Sequence, residues 1–359
     1  MVTLRELLEQ MTEKKASDLH ITAGVPPEFR VDGVLVPATD HEVTTPENAA
    51  SLAYSVMSDE QRRRFETTHE LDFSFGIKGM ARFRANVFLQ RGVVSMAVRQ
   101  IPYEIMPLEK LGLPAVVKEF TNRHRGMVLV TGPTGSGKST TLASMIDRIN
   151  NTRACHIMTV EDPIEYVHHH KKGIVNQREV GADTNSFATA LKYVLRQDPD
   201  IILVGEMRDL ETIQAAITIA ETGHLVYATL HTNSAAEAVN RIVDVFPSDQ
   251  RRQIFTQLAF TLEGIVTQAL LPRSRGAGRV MLAEVLVCTP AIKAVIREGK
   301  THQIYSLMQA GQKFGMQTMN QALLQAVQDR ALNPQDALDF SHDRQELEGM
   351  LAKVLRAAA

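Results

Sequence analysis

The chain has 359 residues, enough for two or three domains that each bury a hydrophobic core. Apolar residues make up 44% and charged residues 22%, and the formal net charge is −2. This composition is typical of globular proteins and does not favour the basic surface by which nucleic-acid motors hold phosphates. Two cysteines, Cys155 and Cys288, argue against a disulfide framework or a Cys-rich zinc site. No apolar run approaches the roughly 18 residues of a membrane span, so we expect any membrane association to require a partner.

Residues 1–100 predict a small α+β domain. The first helix is indicated by apolar residues at helical spacing behind Thr3 and Glu6, which are placed as a capping box. Acidic residues in this segment make it unlike a signal peptide. Two more helices are predicted after Thr45 and Ser58. Alternating residues predict strands at 17–21, 28–36, 71–75, 81–90 and 93–99.

A change of pattern follows at residues 101–114. Pro102, Pro107 and Pro114 would interrupt any regular element, so this segment is predicted to be an inter-domain linker. Residues 115–290 then alternate between strands and helices, which indicates an α/β domain with a mostly parallel sheet covered on both faces. The predicted strands are 127–131, 156–160, 201–204 and 225–230, and the predicted helices are 138–149, 186–196 and 210–221. Residues 291–359 predict a helical C-terminal region, with helices at 291–297, 302–309 and 316–331.

The strongest functional signal is a P-loop between a predicted strand and a predicted helix. It has the pattern G-x-x-x-x-G-K-S, and its binding residues are expected to be Gly132, Pro133, Thr134, Gly135, Ser136, Gly137, Lys138, Ser139 and Thr140. Backbone amides and the helix N-terminus would surround the phosphates of ATP. Lys138 would bind the β and γ oxygens, and Ser139 would bind Mg²⁺. The alternative is an ordinary Gly-rich turn.

Two acidic segments supply candidate residues for hydrolysis. The apolar run 201–204 is followed by Gly205 and Glu206, so it is expected to deliver the Glu206 carboxylate to Mg²⁺ at the carboxyl end of a strand. Because Gly205 stands where an Asp is common, this Mg²⁺ contact could involve a bridging water. Segment 159–165 contains three carboxylates, of which Glu161 is closest to a strand end and is expected to position the attacking water. The residues leave open which of Glu161 and Glu206 is the general base.

Histidines occur at two places of interest. His224 and His231 flank the predicted strand 225–230, so they lie at opposite ends of it. His231, at the carboxyl end, is the better candidate for a residue that senses the γ-phosphate. The run 168–170 consists of three histidines, but consecutive residues project in different directions and no acidic or Cys partner lies at ligand spacing. A solvent-exposed loop is therefore expected there.

Together these segments resemble the secretion-type ATPases, and within them the type IV pilus retraction ATPases. The resemblance covers nearly the whole chain, and its landmarks are 132–139, 159–165, 198–209 and 223–232, with two further stretches at 16–20 and 296–300. It implies a PAS-like N-terminal domain, a RecA-like ATPase domain and a ring-shaped homohexamer. It also implies that the ring serves the pilus machinery through a platform protein, at the cytoplasmic face of the inner membrane.

The resemblance further implies that Arg84 and Arg99 complete the nucleotide site of a neighbouring subunit; the alternative is that they are ordinary exposed strand residues. Extension and export motors of the family that this chain resembles typically carry a longer N-terminal region and a four-cysteine zinc insertion. The short N-terminal domain and two cysteines of this sequence therefore make the resemblance favour retraction. The sequence does not distinguish the main retraction motor from its accessory paralogue. The other functions left open are a related secretion ATPase, a nucleic-acid translocase, and a scaffold that binds ATP without appreciable hydrolysis.

Overall fold

The computed structural model describes residues 2–31, 33–101, 104–276 and 278–358. The chain forms two compact units, one of Met1–Glu104 with Glu165–Val167 and the other of Ile105–Ile164 with His168–Ala359. The division falls inside the segment predicted as a linker, whose Pro102 lies outside the described residues. Across the described ranges, no helix combines the length and the apolar character that crossing a membrane requires.

The first unit is an antiparallel sheet with helices packed on it. Its elements are α1 (Leu4–Glu13), β1 (Asp18–Ile21), β2 (Glu28–Val31), β3 (Val34–Pro37), α2 (Pro46–Tyr54), α3 (Asp59–Thr68), β4 (Glu70–Ile77), β5 (Ala81–Gln90) and β6 (Val93–Ile101). The strand order is β3-β2-β1-β6-β5-β4. Helix α1 begins with the predicted capping box, in which Thr3 and Glu6 exchange hydrogen bonds. The predicted strand 28–36 is wrong as one element: the chain turns at Gly33, where φ is +86°, and forms two paired strands.

The second unit contains the α/β fold. Its sheet-forming part consists of α4 (Val116–Phe120), β7 (Gly126–Thr131), α5 (Lys138–Thr152), β8 (His156–Glu161), β9 (Ile174–Glu179), α6 (Phe187–Val194), β10 (Ile201–Val204), α7 (Leu210–Glu221), β11 (Leu225–Leu230), α8 (Ala235–Asp244), α9 (Arg251–Thr261), β12 (Leu262–Pro272) and β13 (Arg279–Val287). The strand order is β13-β12-β7-β11-β10-β8-β9, and every pairing is parallel except that of β12 with β13.

Helices bury both faces of this sheet, so neighbouring residues of one strand pack into two different hydrophobic cores. Leu129 packs in a core with helices α6 to α9, whereas Val128 and Val130 pack with α4 and α5. Continuous apolar strands are expected when helices cover both faces. The predicted α/β class with a mostly parallel sheet is therefore confirmed.

Helices follow the sheet, as predicted for the C-terminal region. They are α10 (Pro290–Arg297), α11 (Ile304–Ala310), α12 (Met319–Gln328), α13 (Pro334–Phe340) and α14 (Arg344–Ala358). The predicted helix 302–309 is shorter at its start, because Thr301–Gln303 form a 3₁₀ turn, and the predicted helix 316–331 is α12 alone.

The C-terminal helices pack on the same sheet. Ala269 and Leu282 share a core with Leu323 of α12. Glu284 of β13 is buried, and its two oxygens accept the backbone N–H groups of Ala235 (2.8 Å) and Met319 (3.3 Å). These are the first residues of α8 and α12, so one carboxylate binds the N-termini of two helices, where the helix dipoles favour negative charge.

Candidate nucleotide site

The loop between β7 and α5 has a backbone that glycine alone can adopt at its start. Gly132 has φ of +136°, and a Cβ there would lie 2.3 Å from the backbone oxygen of Gln268 and 2.8 Å from the Ser136 hydroxyl. Helix α5 begins directly after the loop, and its N-cap, Gly137, provides no side-chain cap. The amides of a first helical turn have no partner within the helix. The loop therefore presents backbone donors where an anion can bind.

Lys138 and Ser136 fit the binding of phosphate groups. The Lys138 side chain is buried, and its ammonium donates to the carbonyls of Gly132 (2.8 Å) and Pro133 (3.0 Å), at the start of the loop. The Ser136 hydroxyl is buried without a hydrogen-bond partner, which is costly unless a ligand supplies one. Ser139 lies half-buried in the first turn of α5, next to Thr140. The residues present therefore fit a triphosphate with Mg²⁺.

The hairpin of β12 and β13 supports this loop and was not predicted. Gln268 donates its side-chain amide to Thr141 of α5 at 2.7 Å. The side chains of Leu270 and Met281 lie within 3.6 Å of where a Cβ on Gly137 would be. Arg279 donates to the carbonyl of Gly135 at 3.4 Å. No motif in the sequence marks these contacts, which depend on how strands distant in the chain pair.

Glu161 and Glu206 lie on neighbouring strand ends. Strands β8 and β10 are parallel with Val160 opposite Val204, so Glu161 is the register neighbour of Gly205. Gly205 donates its N–H to the carbonyl of Val160 at 2.7 Å, and a Cβ on Gly205 would lie only 3.1 Å from Cα of Glu161. The small residue thus allows the two acidic segments to approach closely. The carboxyl end of β7, where the phosphate loop begins, is at the same edge of the sheet.

Glu206 contacts the side chains of Arg208 and His231. Its oxygens accept bidentate hydrogen bonds from Arg208 at 2.6 and 2.7 Å, and Nε2 of His231 lies 3.2 Å from Oε1. Burial by itself raises the pKa of Glu206, but the hydrogen bonds and charges of Arg208 and His231 outweigh it, so the pKa is below its ordinary value. Glu206 is therefore an anion at neutral pH, as binding of Mg²⁺ requires.

The two candidate histidines are separated by the sheet. His231 follows the last residue of β11 and contacts Glu206. His224 precedes β11, and its carbonyl accepts the N–H of Gly126, the first residue of β7, at 3.0 Å. His224 is therefore at the edge opposite the phosphate loop, and this chain does not bring it to the site described here.

Arg84 and Arg99 are register partners on β5 and β6 in the first unit. Arg84 lies 3.7 Å from a carboxylate oxygen of Asp72, and Arg99 lies 2.8 Å from one of Asp18. Their side chains are 44% and 68% exposed, which leaves both guanidinium groups accessible to a partner. Their role at a neighbouring subunit's site stays a prediction.

The run of histidines lies in a loop, as predicted, and His169 and His170 are exposed. His168 is partly buried, and burial lowers its pKa to about 4. His170 accepts the N–H of Val175 at Nδ1. Among the residues that the structure describes, no three His, Cys, Asp or Glu side chains are grouped so that they could hold a metal ion.

Comparison with known proteins gives matches along most of the chain. Residues 1–339 match the family described as "Type II/IV secretion system protein". The type IV pilus retractation ATPase PilT of Pseudomonas aeruginosa is 49% identical over 324 residues, which are 89% of this chain and 92% of that protein. The type IV pilus ATPase PilU of the same organism is 44% identical over 346 residues, with 96% and 90% covered. A crystal structure of the pilus retraction motor PilT with bound ADP covers 97% of this chain and 99% of its own, at 53% identity and a TM-score of 0.92.

Proposed function

We propose that this chain, which belongs to the type II/IV secretion system protein family and is an ATPase of that family, works as a homohexameric motor that retracts type IV pili. The observation that carries the proposal is the placement of the phosphate loop, Glu161 and Glu206 at one edge of the parallel sheet. The type IV pilus is inferred as the structure on which the motor acts from the similarity to PilT, which extends over nearly the full length of both chains.

Within the site, each residue type has a separate role. The loop amides and Lys138 would bind the triphosphate, and Ser139 and Glu206 would hold Mg²⁺. When bound there, the ion would supply positive charge that offsets the negative charge developing on the phosphate oxygens. Glu161 orients the attacking water as a carboxylate that can accept its proton. His231, in contact with Glu206, senses whether the γ-phosphate is present.

The proposal extends to the assembly. Arg84 and Arg99 from one subunit stabilise the transition state in the site of its neighbour, which corresponds to about 10³–10⁵ in rate for an arginine finger. Segment 101–114 acts as the hinge when a subunit closes on ATP. The ring acts on a platform protein at the cytoplasmic face of the inner membrane, and this partner is inferred from family resemblance.

Steady-state phosphate release by the purified protein with Mg²⁺ and ATP tests the enzymatic part. We expect Lys138→Ala to lose ATP binding, whereas Glu206→Gln and Arg84→Ala keep binding and lose turnover. Unchanged turnover in Arg84→Ala would remove this arginine from the site. An ATP-binding scaffold would show binding without phosphate release, and a nucleic-acid translocase would show turnover stimulated by DNA and sensitive to salt.

A deletion strain tests the cellular role. Cells without the protein should carry excess surface pili and lack surface motility, because assembled pilin is no longer withdrawn. The similarity to PilU supports a second candidate, an accessory pilus ATPase. Expression of this chain alone in cells that lack both types of motor separates the two: a main motor restores motility and an accessory one does not.

A further inference from the structure

We propose that Thr159 and Gln177 are positioning residues that hold the Glu161 carboxylate in the orientation needed to activate water. The inference rests on the proposed ATPase function of this site and names two residues that act through Glu161. Neither residue was among the candidates that the sequence suggested. Both contacts lie within the second unit and connect β8 with its edge neighbour β9.

Thr159 acts from within the same strand as Glu161. Alternate residues of a strand face the same side of a sheet, so residues 159 and 161 project together. The hydroxyl of Thr159 donates to Oε1 of Glu161 at 2.6 Å, a short distance typical of a hydroxyl bound to a carboxylate. Thr159 is fully buried, so its hydroxyl is held in place by the surrounding core.

Gln177 approaches the same oxygen from the next strand. It is the register partner of Thr159, and its Nε2 donates to Oε1 of Glu161 at 3.1 Å. The other half of the amide is also fixed, since its Oε1 accepts the backbone N–H of His168 at 2.8 Å. A backbone N–H can only donate, so the amide must present its NH₂ group to Glu161.

Two donors on one oxygen restrict rotation of the carboxylate about its last bond. The backbone of Glu161 is also confined, because Gly205 of the neighbouring segment lies against its Cα. A group that orients water depends on such restriction, since an error of about 1 Å in placement can cost 10²-fold in rate. Thr159 and Gln177 therefore act on the chemical step and not on nucleotide binding.

The test compares variants in steady-state ATP hydrolysis by the intact protein. Thr159→Val, which has a similar shape without the hydroxyl, and Gln177→Ala should each lower kcat by about 10- to 100-fold while KM for ATP changes less than about twofold. Thr159→Ser keeps the hydroxyl and should recover most of the lost turnover. Thr261→Val is a matched control, because Thr261 is also buried and donates to a backbone carbonyl far from Glu161 in the sequence. It should leave kcat unchanged.

A double-mutant cycle shows whether the effect passes through Glu161. In a Glu161→Gln background, Thr159→Val should cause no further fall in kcat, because the group that it positions is already inactive. Equal losses in both backgrounds, or a rise in KM that accompanies the fall in kcat, would overturn the proposal, as would failure of Thr159→Ser to restore turnover. Absence of hydrolysis by the unaltered protein would instead overturn the proposed function itself.

Discussion

The start of the phosphate loop offers a sharp test of the geometry. In Gly132→Ala, the new Cβ would lie 2.3 Å from a backbone oxygen of β12, which cannot move without separating β12 from β7. The backbone conformation at φ of +136° costs a non-glycine residue about 1–3 kcal/mol. Overpacking of a closely packed site adds about 1–3 kcal/mol. We therefore expect the unfolding free energy to fall by about 2–6 kcal/mol.

Gly135→Ala is the matched comparison in the same loop. Gly135 also has a positive φ, +79°, but nothing lies within 4 Å of a Cβ built there. Only the conformational cost of about 1–2 kcal/mol should apply. Urea unfolding of the nucleotide-free protein and binding of a fluorescent ATP analogue measure both variants. The close approach of β12 to the loop would be refuted if Gly132→Ala and Gly135→Ala had equal unfolding midpoints and Gly132→Ala kept its full affinity for ATP.

Three further predictions concern polar and ionisable side chains. Arg208→Ala should raise the pKa of Glu206, because partial burial of the carboxylate remains when the guanidinium is lost. The acidic limb of the pH profile of ATP turnover should then move to higher pH. Arg208→Lys keeps a positive charge and should move this limb less. Burial raises the pKa of Glu284, so the folded state binds that proton more tightly than the unfolded chain, and the unfolding free energy declines as pH rises through the raised pKa. Glu284→Gln should flatten this decline in urea-unfolding midpoints measured between about pH 4 and 7. Tyr227→Phe removes a buried bond of 2.9 Å to the carbonyl of Phe120 and should lower the unfolding free energy by about 1–3 kcal/mol, also measured in urea.

Local signals allowed much of the fold to be predicted. Ser58 caps α3 with Gln61 as expected, and the strand before the phosphate loop and the helix after it lie where the apolar pattern placed them. These features depend on residues close in sequence, whose hydrogen bonds and periodicity are visible in the chain itself. The same holds for Lys138 and Ser139, which belong to a contiguous motif.

Features that depend on distant pairing were not predicted. Helix α9 ends at Thr261 and β12 begins at Leu262, so no Gly or Pro marks the change from helix to strand. The contacts of Gln177 were missed for a related reason, since its partner Glu161 lies on another strand and the register between β8 and β9 has no local signal. In contrast, the turn at Gly33 had a signal, an Asp-Gly dipeptide, that should have divided the predicted strand 28–36.

The side chain of Glu284 limits how much of the C-terminus can be removed from the ATPase unit. Truncation before Met319 would leave one oxygen of the buried Glu284 carboxyl group without its amide partner and would expose the apolar side chains of Ala269 and Leu282. The other oxygen of Glu284 accepts the N–H of Ala235 at the start of α8, four residues after His231. A shortened fragment that keeps every proposed site residue but omits the last helices would thus lose support for the segment that follows His231. A minimal active fragment should therefore retain these helices.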